Sequence, residues 1–384
     1  MEKVKILKAV AIINDSVSEY EGERPFLSTG DLNLSTITNL ELHTFSEKPS
    51  RANQNVSSGD LILARMQGTV KVKLINNEDE NIIVSTGFLV LRPKINADSK
   101  YLFHLLKSSN FQNDKDKLCT GATQKAINNS NFEKLEIPLP NLATQQRIAA
   151  ILDQADAIIQ NNRAIVQKYD ALTQSLFLDM FGDPVRNEKG WEKDILKNVC
   201  TKITDGTHDT PERLNKGIKF ITGKHIKPFF VDYENSDYVT KEIHMEIYKR
   251  CNPEFEDILY TNIGVNFATA ALNVVDYEFS MKNVALLKYK RNIINGYYLT
   301  FLLNNANFKD RLKKAFGIGG AQQFLSLSNI KKIEIHFPPI QLQNQFAERV
   351  AMIEAQKQQA QLELAKSEEL FASLLQRAFN GELN

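Results

Sequence analysis

The pattern of apolar and polar positions along this chain changes twice, after Pro140 and after Pro338. Before each proline lie short runs rich in β-branched residues, which are typical of strands. After each proline comes a long segment without internal proline or glycine, over 144–181 and 341–379. Apolar residues in these segments recur at alternating intervals of four and three, which predicts two long α-helices.

The apolar positions of the two predicted helices form a seam with an average spacing of about 3.5 residues, as in a coiled coil. Asn162 and Lys357 are polar seam residues of the kind that fix register, and Gly182 and Gly381 are expected to end the helices. We expect the helices to pair antiparallel; the alternative is two unrelated surface helices. The apolar seam comprises Ile148, Leu152, Ala155, Ile159, Val166, Tyr169, Leu176 and Met180, then Phe346, Val350, Ile353, Ala360, Leu364, Phe371, Leu374 and Ala378.

An internal repeat accounts for the two changes in pattern. GATQKAINNSNFEKLEIPLP begins at Gly121, and GGAQQFLSLSNIKKIEIHFP begins at Gly319, 198 residues later. Further upstream the offset falls as far as 189, as expected when surface loops change length and core elements do not. In each copy a short helix is expected after the Gly-rich stretch, capped by Ser130 or Ser328, with Glu133 completing a capping box in the first.

The repeat predicts an α+β fold in which two globular α/β domains are separated by a pair of long antiparallel coiled-coil helices, with an internal pseudo-twofold repeat. The expected parts are a first domain over 1–143, a first long helix over 144–182, a second domain over 183–340 and a second long helix over 341–384.

Composition places the chain among ordinary globular proteins, with 42% hydrophobic and 24% charged residues. No apolar run is long enough for a membrane span, and the N-terminus does not resemble a signal peptide, so we expect a cytoplasmic protein. The three cysteines have no CxxC spacing, which argues against a disulfide framework or a zinc site.

Positive charge is concentrated in the second half. Residues 191–338 contain 21 Lys and Arg against 17 Asp and Glu, whereas residues 1–143 contain 17 of each. The cations cluster beside Gln, Asn and Thr, as a nucleic-acid-binding face requires, because cations hold phosphates and amides read base edges. Ordinary solvated lysines are the competing interpretation of any single cluster. The clusters are Arg65, Lys71 and Lys73; Lys216, Lys219, Lys224 and Lys227; and Arg311, Lys313 and Lys314.

Catalytic motifs are incomplete in this sequence. FGIGG at Phe316 differs by one residue from a loop that holds a methyl-donor nucleoside, and Glu254 replaces the second proline of an Asn-Pro-Pro-aromatic motif that holds a flipped adenine. Phosphate-binding glycine motifs and metal-ligand spacings of histidine are absent from the sequence. We therefore expect no enzyme, no cofactor and no metal site.

Several motifs occur in a familiar order: GATQ, IPLP and QQRIAAILDQAD, then SLFLDMFGDP, then a second copy that ends in LLQRAFNGEL. In this respect the whole chain resembles the DNA-specificity subunit of type I restriction-modification systems. TDGTHDTP at Thr204 and GDLILARMQGTVKV at Gly59 also resemble segments that recur in that family. The second copy of the latter, with NIGVNF, lacks the basic residues of the first.

The resemblance implies that each globular domain is a target recognition domain that reads one half of a bipartite site in double-stranded DNA. It implies that the long helices set the spacer between the halves and dock two modification subunits, which methylate the DNA. Restriction subunits with motor and nuclease activity would complete the complex. Two alternatives remain: the recognition part of a self-contained DNA modification enzyme, and a coiled-coil interaction adaptor without DNA binding.

Candidate site residues follow from motif position and residue type. Arg65 and Lys224 suit guanine, and amides such as Gln67 suit adenine, although any of them could instead contact phosphate. The Gly-rich stretches could also be simple turns before the short helices. The DNA-binding candidates are Arg65, Gln67, Lys71, Lys73, Gln124, Lys125, Thr207, His208, Lys219, Lys224, His225, Asn262, Asn266, Gln322 and Gln323. The partner-binding candidates are Gln145, Ile148, Leu152, Gln343, Phe346 and Val350.

Overall fold

The chain contains two compact units, which a computed structural model describes over residues 3–264, 266–319 and 323–383. The first unit comprises Met1–Ala164 and Gln361–Asn384, and the second comprises Ile165–Ala360. Each of the two long helices therefore contributes one part to each unit.

The first unit is rich in short strands. Its strands are β1 (Lys3–Lys5), β2 (Val10–Ile13), β3 (Arg24–Leu27), β4 (Leu32–Asn33), β5 (Thr36–Ile37), β6 (Glu41–His43), β7 (Ala52–Gln54), β8 (Leu61–Ala64), β9 (Val72–Leu74), β10 (Ile83–Ser85), β11 (Phe88–Pro93) and β12 (Glu136–Pro138). Its helices are α1 (Ser99–Lys107), α2 (Ser109–Lys117), α3 (Asn129–Phe132) and the first part of α4 (Leu142–Phe181).

The second unit has a similar set of elements. Its strands are β13 (Lys193–Ile195), β14 (Cys200–Asp205), β15 (Ile218–Thr222), β16 (Ile226–Lys227), β17 (Phe230–Val231), β18 (Asp237–Val239), β19 (Ile258–Thr261), β20 (Ala270–Leu272), β21 (Ser280–Lys282), β22 (Val284–Tyr289) and β23 (Glu334–His336). Its helices are α5 (Leu196–Val199), α6 (Lys241–Arg250), α7 (Gly296–Asn304), α8 (Ala306–Ala315), α9 (Leu327–Lys331) and the first part of α10 (Ile340–Asn380).

Sheet topology repeats between the units. A four-stranded sheet in the order β2-β11-β8-β9 corresponds to one in the order β14-β22-β19-β20. In the neighbouring sheet a parallel pair, β3 with β10, corresponds to the parallel pair β15 with β21. The two-stranded pair β1-β12 likewise corresponds to β13-β23. The predicted internal repeat is thus confirmed in the sheet topology, although the first unit has one more strand, β7, in its second sheet.

The long helices pack antiparallel within each unit. In the first unit, Asn162 Nδ2 donates to Ser367 Oγ at 2.7 Å, and Arg163 pairs with Glu368 at 2.6 Å. In the second unit, Lys357 Nζ lies 2.5 Å from Asp170 Oδ1. Both predicted polar seam residues therefore make contacts between the helices, and the predicted α+β fold with two long paired helices is confirmed.

The apolar core of each unit includes the N-terminal part of a long helix. In the first unit Ile148 and Leu152 pack with buried residues of α1 and of the four-stranded sheet. In the second unit Phe346 and Val350 occupy the corresponding positions, 198 residues later. Burial of this apolar stripe attaches each long helix firmly to its sheet.

The caps of the two short helices lie two residues earlier than the sequence suggested. Asn128 Oδ1 accepts from Asn131 N at 2.8 Å, and Ser326 Oγ accepts from Asn329 N at 3.1 Å. Asn128 and Ser326 have extended backbones, which a capping residue requires, so Ser130 and Ser328 are not the caps. Among the described residues no helix combines the length and apolarity of a membrane span.

Candidate nucleic-acid interface

The Gly-rich stretch of the first unit folds back onto the GDLILARMQGTVKV segment. Met66 and Ala126 form an isolated antiparallel bridge. Gln67 N donates to Lys125 O, and Ile127 N donates to Arg65 O, both at 2.9 Å. Two motifs that lie about sixty residues apart in the sequence are therefore side by side.

The second unit makes the same junction. Ile263 and Phe324 form the equivalent bridge, and Leu325 N donates to Asn262 O at 2.8 Å. Each partner in this junction lies 197 or 198 residues after its counterpart in the first unit. Each unit thus carries one cluster of loops at the ends of its central strands.

The TDGTHDTP segment joins the loop cluster of the second unit. Thr207 N donates to Met281 O at 2.9 Å, and Asn283 N donates to Thr207 O at 3.2 Å. Gly206 makes this approach possible, because a Cβ atom there would lie only 2.0 Å from Met281 O. The segment therefore extends along the end of β21 and presents His208, which is largely exposed, beside Asn283.

A basic cleft of about 450 Å³ opens in the loop cluster of the second unit. Four of its lining side chains are cationic, and Asp237 is the carboxylate nearest to them, at 2.9 Å from Arg213 and 3.3 Å from Lys224. Lys282 donates instead to the hydroxyl of Thr210. Among the described residues, no carboxylate lies within salt-bridge distance of Lys227 or Lys282. The cationic lining residues are Arg213, Lys224, Lys227 and Lys282.

Further polar groups adjoin these cations. Asn283 Oδ1 lies 2.9 Å from His208 Nδ1, and His208 Nε2 lies 2.9 Å from Asp205. Asn266 also lines the cleft, but its amide donates to the carbonyls of Gly223 and Ile226 and so holds the cleft wall. The arrangement suits a polyanion that also has hydrogen-bonding groups. The cations can bind its negative charges, and the amides can form hydrogen bonds with its polar edges.

The predicted residues of the first unit fall into two groups. Arg65, Lys71 and Lys73 are held within the fold. The guanidinium of Arg65 donates to the carbonyls of Phe88 and Ile127 and to Asn129 Oδ1, and its burial lowers the pKa of this group. Lys71 donates to Thr29 O at 2.6 Å and Lys73 pairs with Asp79 at 2.9 Å. The exposed candidates are Gln67, Gln124 and Lys125.

Two candidates in the second unit are buried. His225 is 3% exposed and Asn262 is 2% exposed, so neither side chain is available at the surface in this structure. Burial lowers the pKa of His225, with the neighbouring Lys224 adding to the effect. His225 Nδ1 accepts from Thr222 N at 2.9 Å, which shapes the loop that carries Lys224.

The remaining candidates of the second unit have mixed surroundings. Lys219 donates to Tyr233 O at 2.7 Å and lies over the ring of Tyr238. Thr207 is half-buried and its hydroxyl accepts from Asp209 N. Gln323 is half-buried, and Gln322 lies outside the described residues. Of the predicted DNA-binding residues in this unit, Lys224 and Asn266 line the basic cleft, and His208 lies beside it.

All six partner-binding candidates are buried inside their own units. The four apolar candidates are at most 1% exposed: Ile148, Leu152, Phe346 and Val350. They were predicted from the apolar periodicity of the helices, and that periodicity identifies the helix face that packs on the sheet. A partner has no access to these side chains in this structure.

Gln145 and Gln343 are internal clamps. Gln145 Oε1 accepts from Asp98 N at 2.8 Å, while its amide donates to the carbonyls of Asn96 and Pro140. Gln343 makes the same three contacts in the second unit, with Asn295 N, Ile293 O and Pro338 O. Each clamp ties the start of a long helix to the N-cap residue of another helix, Asp98 of α1 or Asn295 of α7.

Sequence reasoning missed several lining residues of the basic cleft, among them Arg213, Lys282 and Asn283. Arg213 lies two residues after the TDGTHDTP segment, and this position was the signal that could have identified it. Lys282 ends β21 and Asn283 connects it to β22, in a stretch that resembles no motif. Among the described residues, no group of His, Cys, Asp and Glu is placed to hold a metal ion.

Comparisons with known proteins agree with the repeat. Residues 4–168 and 188–364 each match the type I restriction modification DNA specificity domain. The chain is 24% identical over 276 residues to the MjaIX type I restriction enzyme specificity subunit of Methanocaldococcus jannaschii, an alignment that covers 67% of this chain but only 63% of that subunit. It is 21% identical over 361 residues to the EcoKI specificity subunit of Escherichia coli K12, covering 87% and 76% of the two chains.

A solved structure extends the comparison to three dimensions. A chain from a study of complex assembly and conformational transition of the type I R-M system matches with a TM-score of 0.63 at 18% sequence identity. The match covers 99% of this chain and 98% of that chain. At this level of identity the likeness establishes the shared fold.

Proposed function

The chain belongs to the type I restriction modification DNA specificity family, and from that premise we propose that it reads the target sequence of a restriction-modification complex. The observation that carries the proposal is the basic cleft. Four cations converge there, two of them paired with Asp237, on the loop cluster that the TDGTHDTP segment joins. Phosphate attraction of this kind supplies much of the affinity of DNA-binding proteins.

We propose further that the DNA site is bipartite and that each unit reads one half. The units share a topology but differ in the chemistry of their loops. The second presents the cations Lys227 and Lys282, whereas the first presents the exposed amides Gln67 and Gln124. Different donors and acceptors on one scaffold select different bases, so the two half-sites should differ in sequence.

The proposed role of the long helices is to set the spacer and to dock two modification subunits. The predicted docking residues are buried, so we assign docking to exposed apolar positions outside the buried seam. In the second unit these include Ile165 and Leu172 on α4 and Met352 on α10, which are 42%, 50% and 63% exposed. Large exposed apolar side chains on a helix are typical of a protein-binding surface.

Catalysis is assigned to partner subunits. In this proposal the modification subunits methylate the DNA, restriction subunits cleave it, and this chain selects the sequence without a catalytic residue or cofactor of its own. The incomplete methyl-donor and adenine motifs at Phe316 and Glu254 support that division.

Methylation mapping tests the proposal. Single-molecule sequencing would be applied to DNA from cells that make this chain together with its candidate modification subunit, and to cells that make the modification subunit alone. We expect methylation at a split sequence, two short defined halves around an undefined spacer, only when both proteins are present. A contiguous sequence, or no methylation although the complex assembles, would contradict the proposal and favour the adaptor alternative.

A further inference from the structure

Each unit holds a small β-hairpin that no motif in the sequence marks. In the first unit β4 and β5 pair Leu32 with Ile37 and Asn33 with Thr36. In the second, β16 and β17 pair Ile226 with Val231 and Lys227 with Phe230. Both hairpins have two-residue turns and the same register, so the second pair of each is equivalent in position.

The two hairpins are attached at corresponding places. The turn residue Leu34 accepts from Val72 N of β9 at 3.0 Å, and the turn residue Phe229 donates from its backbone to Ala270 O of β20 at 3.1 Å. Strands β9 and β20 occupy the same edge position in the two four-stranded sheets. Leu34 and Phe229 both adopt a positive φ, at 53° and 66°, which is strained for such residues and is often found at functional sites.

Successive side chains along each hairpin strand point to opposite faces, so each hairpin has an inner and an outer face. Leu32 and Ile226 are buried under the hairpins. The next residue in each strand points the other way, so Asn33 and Thr36, and likewise Lys227 and Phe230, form an exposed cross-strand pair. We call these two pairs the outer pairs.

The outer pair of the second unit adjoins the basic cleft. Lys227 lines that cleft, and Phe230, its cross-strand neighbour, is 60% exposed. The hairpin beneath them is fixed, because the ring of Phe229 packs on Phe301 of α7 with 4.3 Å between centroids. A large apolar ring that is exposed to water beside the cations of the cleft is typical of a surface that binds a partner.

We propose that the outer pairs contact DNA and help each unit to choose its half-site. Lys227 contacts a phosphate, and the ring of Phe230 packs against bases or sugars next to that phosphate. In the first unit Asn33 and Thr36 meet the DNA through hydrogen bonds and the threonine methyl group. This inference rests on the proposed function, and it assigns specificity to residues outside the recognised motifs.

The chemistry of the outer pairs supports a nucleic-acid ligand. A cation next to an exposed aromatic ring suits a chain of alternating phosphates and flat apolar bases, and apolar side chains also act as wedges between base steps. Asparagine reads adenine edges and the methyl group of threonine packs on that of thymine. The two pairs therefore offer different recognition from one position of a shared scaffold.

The test uses the full chain assembled with its modification subunit, and synthetic duplexes that carry the split sequence mapped for the wild type. Affinity is measured for the parent duplex and for duplexes with one altered base pair each, at several salt concentrations. The variants are Phe230→Ala, Lys227→Asn, the transplanted pair Lys227→Asn with Phe230→Thr, and Asn33→Ala with Thr36→Ala. Met245→Ala and Lys249→Asn on α6 are matched controls, because both residues are exposed and lie outside the cleft.

We expect Phe230→Ala to weaken binding by roughly ten-fold and to relax base preference in one half-site only. Lys227→Asn should weaken all duplexes alike and reduce the slope of log affinity against log salt by about one. The double variant in the first unit should relax the other half-site. The controls should stay within about two-fold of the wild type, as surface residues away from DNA do.

Two results would overturn the inference while leaving the proposed function intact. In the first, the wild-type complex binds the split duplex and the outer-pair variants match it in affinity and base preference. In the second, the transplanted pair abolishes assembly with the modification subunit, which would make the hairpin a protein contact. If the wild-type complex itself fails to bind the duplex, the proposed function and the inference both fail.

Discussion

At the scale of single residues, buried polar groups determine how this fold is held together. Gln145 and Gln343 are fully buried, and each satisfies one backbone N–H and two backbone carbonyls. A buried polar group without a hydrogen-bond partner lowers the stability of the folded state. Loss of either glutamine side chain would leave three buried backbone groups without their partner. The clamps therefore act on stability and on helix placement.

Replacement of the clamp in the second unit should measure this contribution. Gln343→Leu is expected to lower the free energy of unfolding by roughly 2–4 kcal/mol, because three buried backbone groups lose their partner. Urea titration followed by the fluorescence of Trp191, the single tryptophan, reports on this unit. Gln345→Leu, at an exposed position two residues away, is the matched control. Equal midpoints for the two variants would show that the clamp is dispensable.

His104 makes the stability of the first unit depend on pH. Burial lowers its pKa, although Nε2 lies 2.7 Å from Asp153 Oδ1, which opposes that shift. The folded protein therefore holds this imidazole neutral at pH values where the unfolded chain protonates it. Stability is expected to fall as pH drops through about 6.5, the ordinary value for histidine.

The variant His104→Phe tests this dependence, since Phe301 occupies the equivalent position in the second unit. Burial opposes ionisation of Asp153, but hydrogen bonds from Lys100 and His104 outweigh it and keep the pKa of Asp153 below its ordinary value. Titration of Asp153 thus falls below about pH 4 and does not interfere. We expect urea titrations to show that the variant loses less stability between pH 7 and pH 5 than the wild type does. A parallel loss would assign the pH dependence to other groups, including His225 and His336, whose pKa values burial also lowers.

At the scale of elements, close contact between backbones shapes the interface more than residue type does. The TDGTHDTP segment reaches the end of β21 because Gly206 has no side chain. Replacement by alanine would force its Cβ against the carbonyl of Met281, and the neighbouring backbone cannot move aside as a flexible side chain could. The position of His208 and Thr207 therefore depends on one glycine.

Gly206→Ala should damage the second unit selectively. We expect a loss of roughly 1–3 kcal/mol in stability, typical of overpacking, together with weaker discrimination in the half-site that the second unit reads. Gly223→Ala, in the same cleft, is the control, because the nearest atoms to its added Cβ lie at 3.9 Å. Binding assays on the mapped duplexes would compare the two. The expectation is wrong if Gly206→Ala retains full discrimination.

At the scale of the whole molecule, one chain holds two units of the same topology that share two long helices. If the units read separate half-sites, the length of the paired helices should decide how many base pairs lie between them. An α-helix rises about 1.5 Å per residue, so one heptad corresponds to about 10 Å, or about three base pairs of DNA.

Removal of one heptad from each long helix, in the paired region, should therefore shorten the spacer. We expect the mapped sequence to keep both half-sites and to lose about three base pairs between them. A variant with one heptad removed from α4 alone breaks the pairing and serves as the control. Binding with an unchanged spacer would refute a measuring role for the helices.

The sequence by itself determined much of the architecture. The apolar period of 3.5 fixed two long helices, because a coiled-coil seam must recur at that interval whatever surrounds it. The repeat of GATQ and IPLP identified two copies of one fold, since strands and short helices keep their order while loops change length. Motif order then indicated the family. These signals are local or periodic, so they can be read without coordinates.

Only the tertiary structure decided which of the candidate residues face solvent. His225, Asn262, Gln145 and Phe346 have residue types that suit an interface, but contacts with residues distant in sequence bury them. Packing likewise brought Arg213, Lys227 and Lys282 into one cleft and set Phe230 beside it. The exposure of a side chain and the convergence of several side chains on one site both depend on contacts between residues distant in sequence. A single sequence does not show directly which loops contact each other.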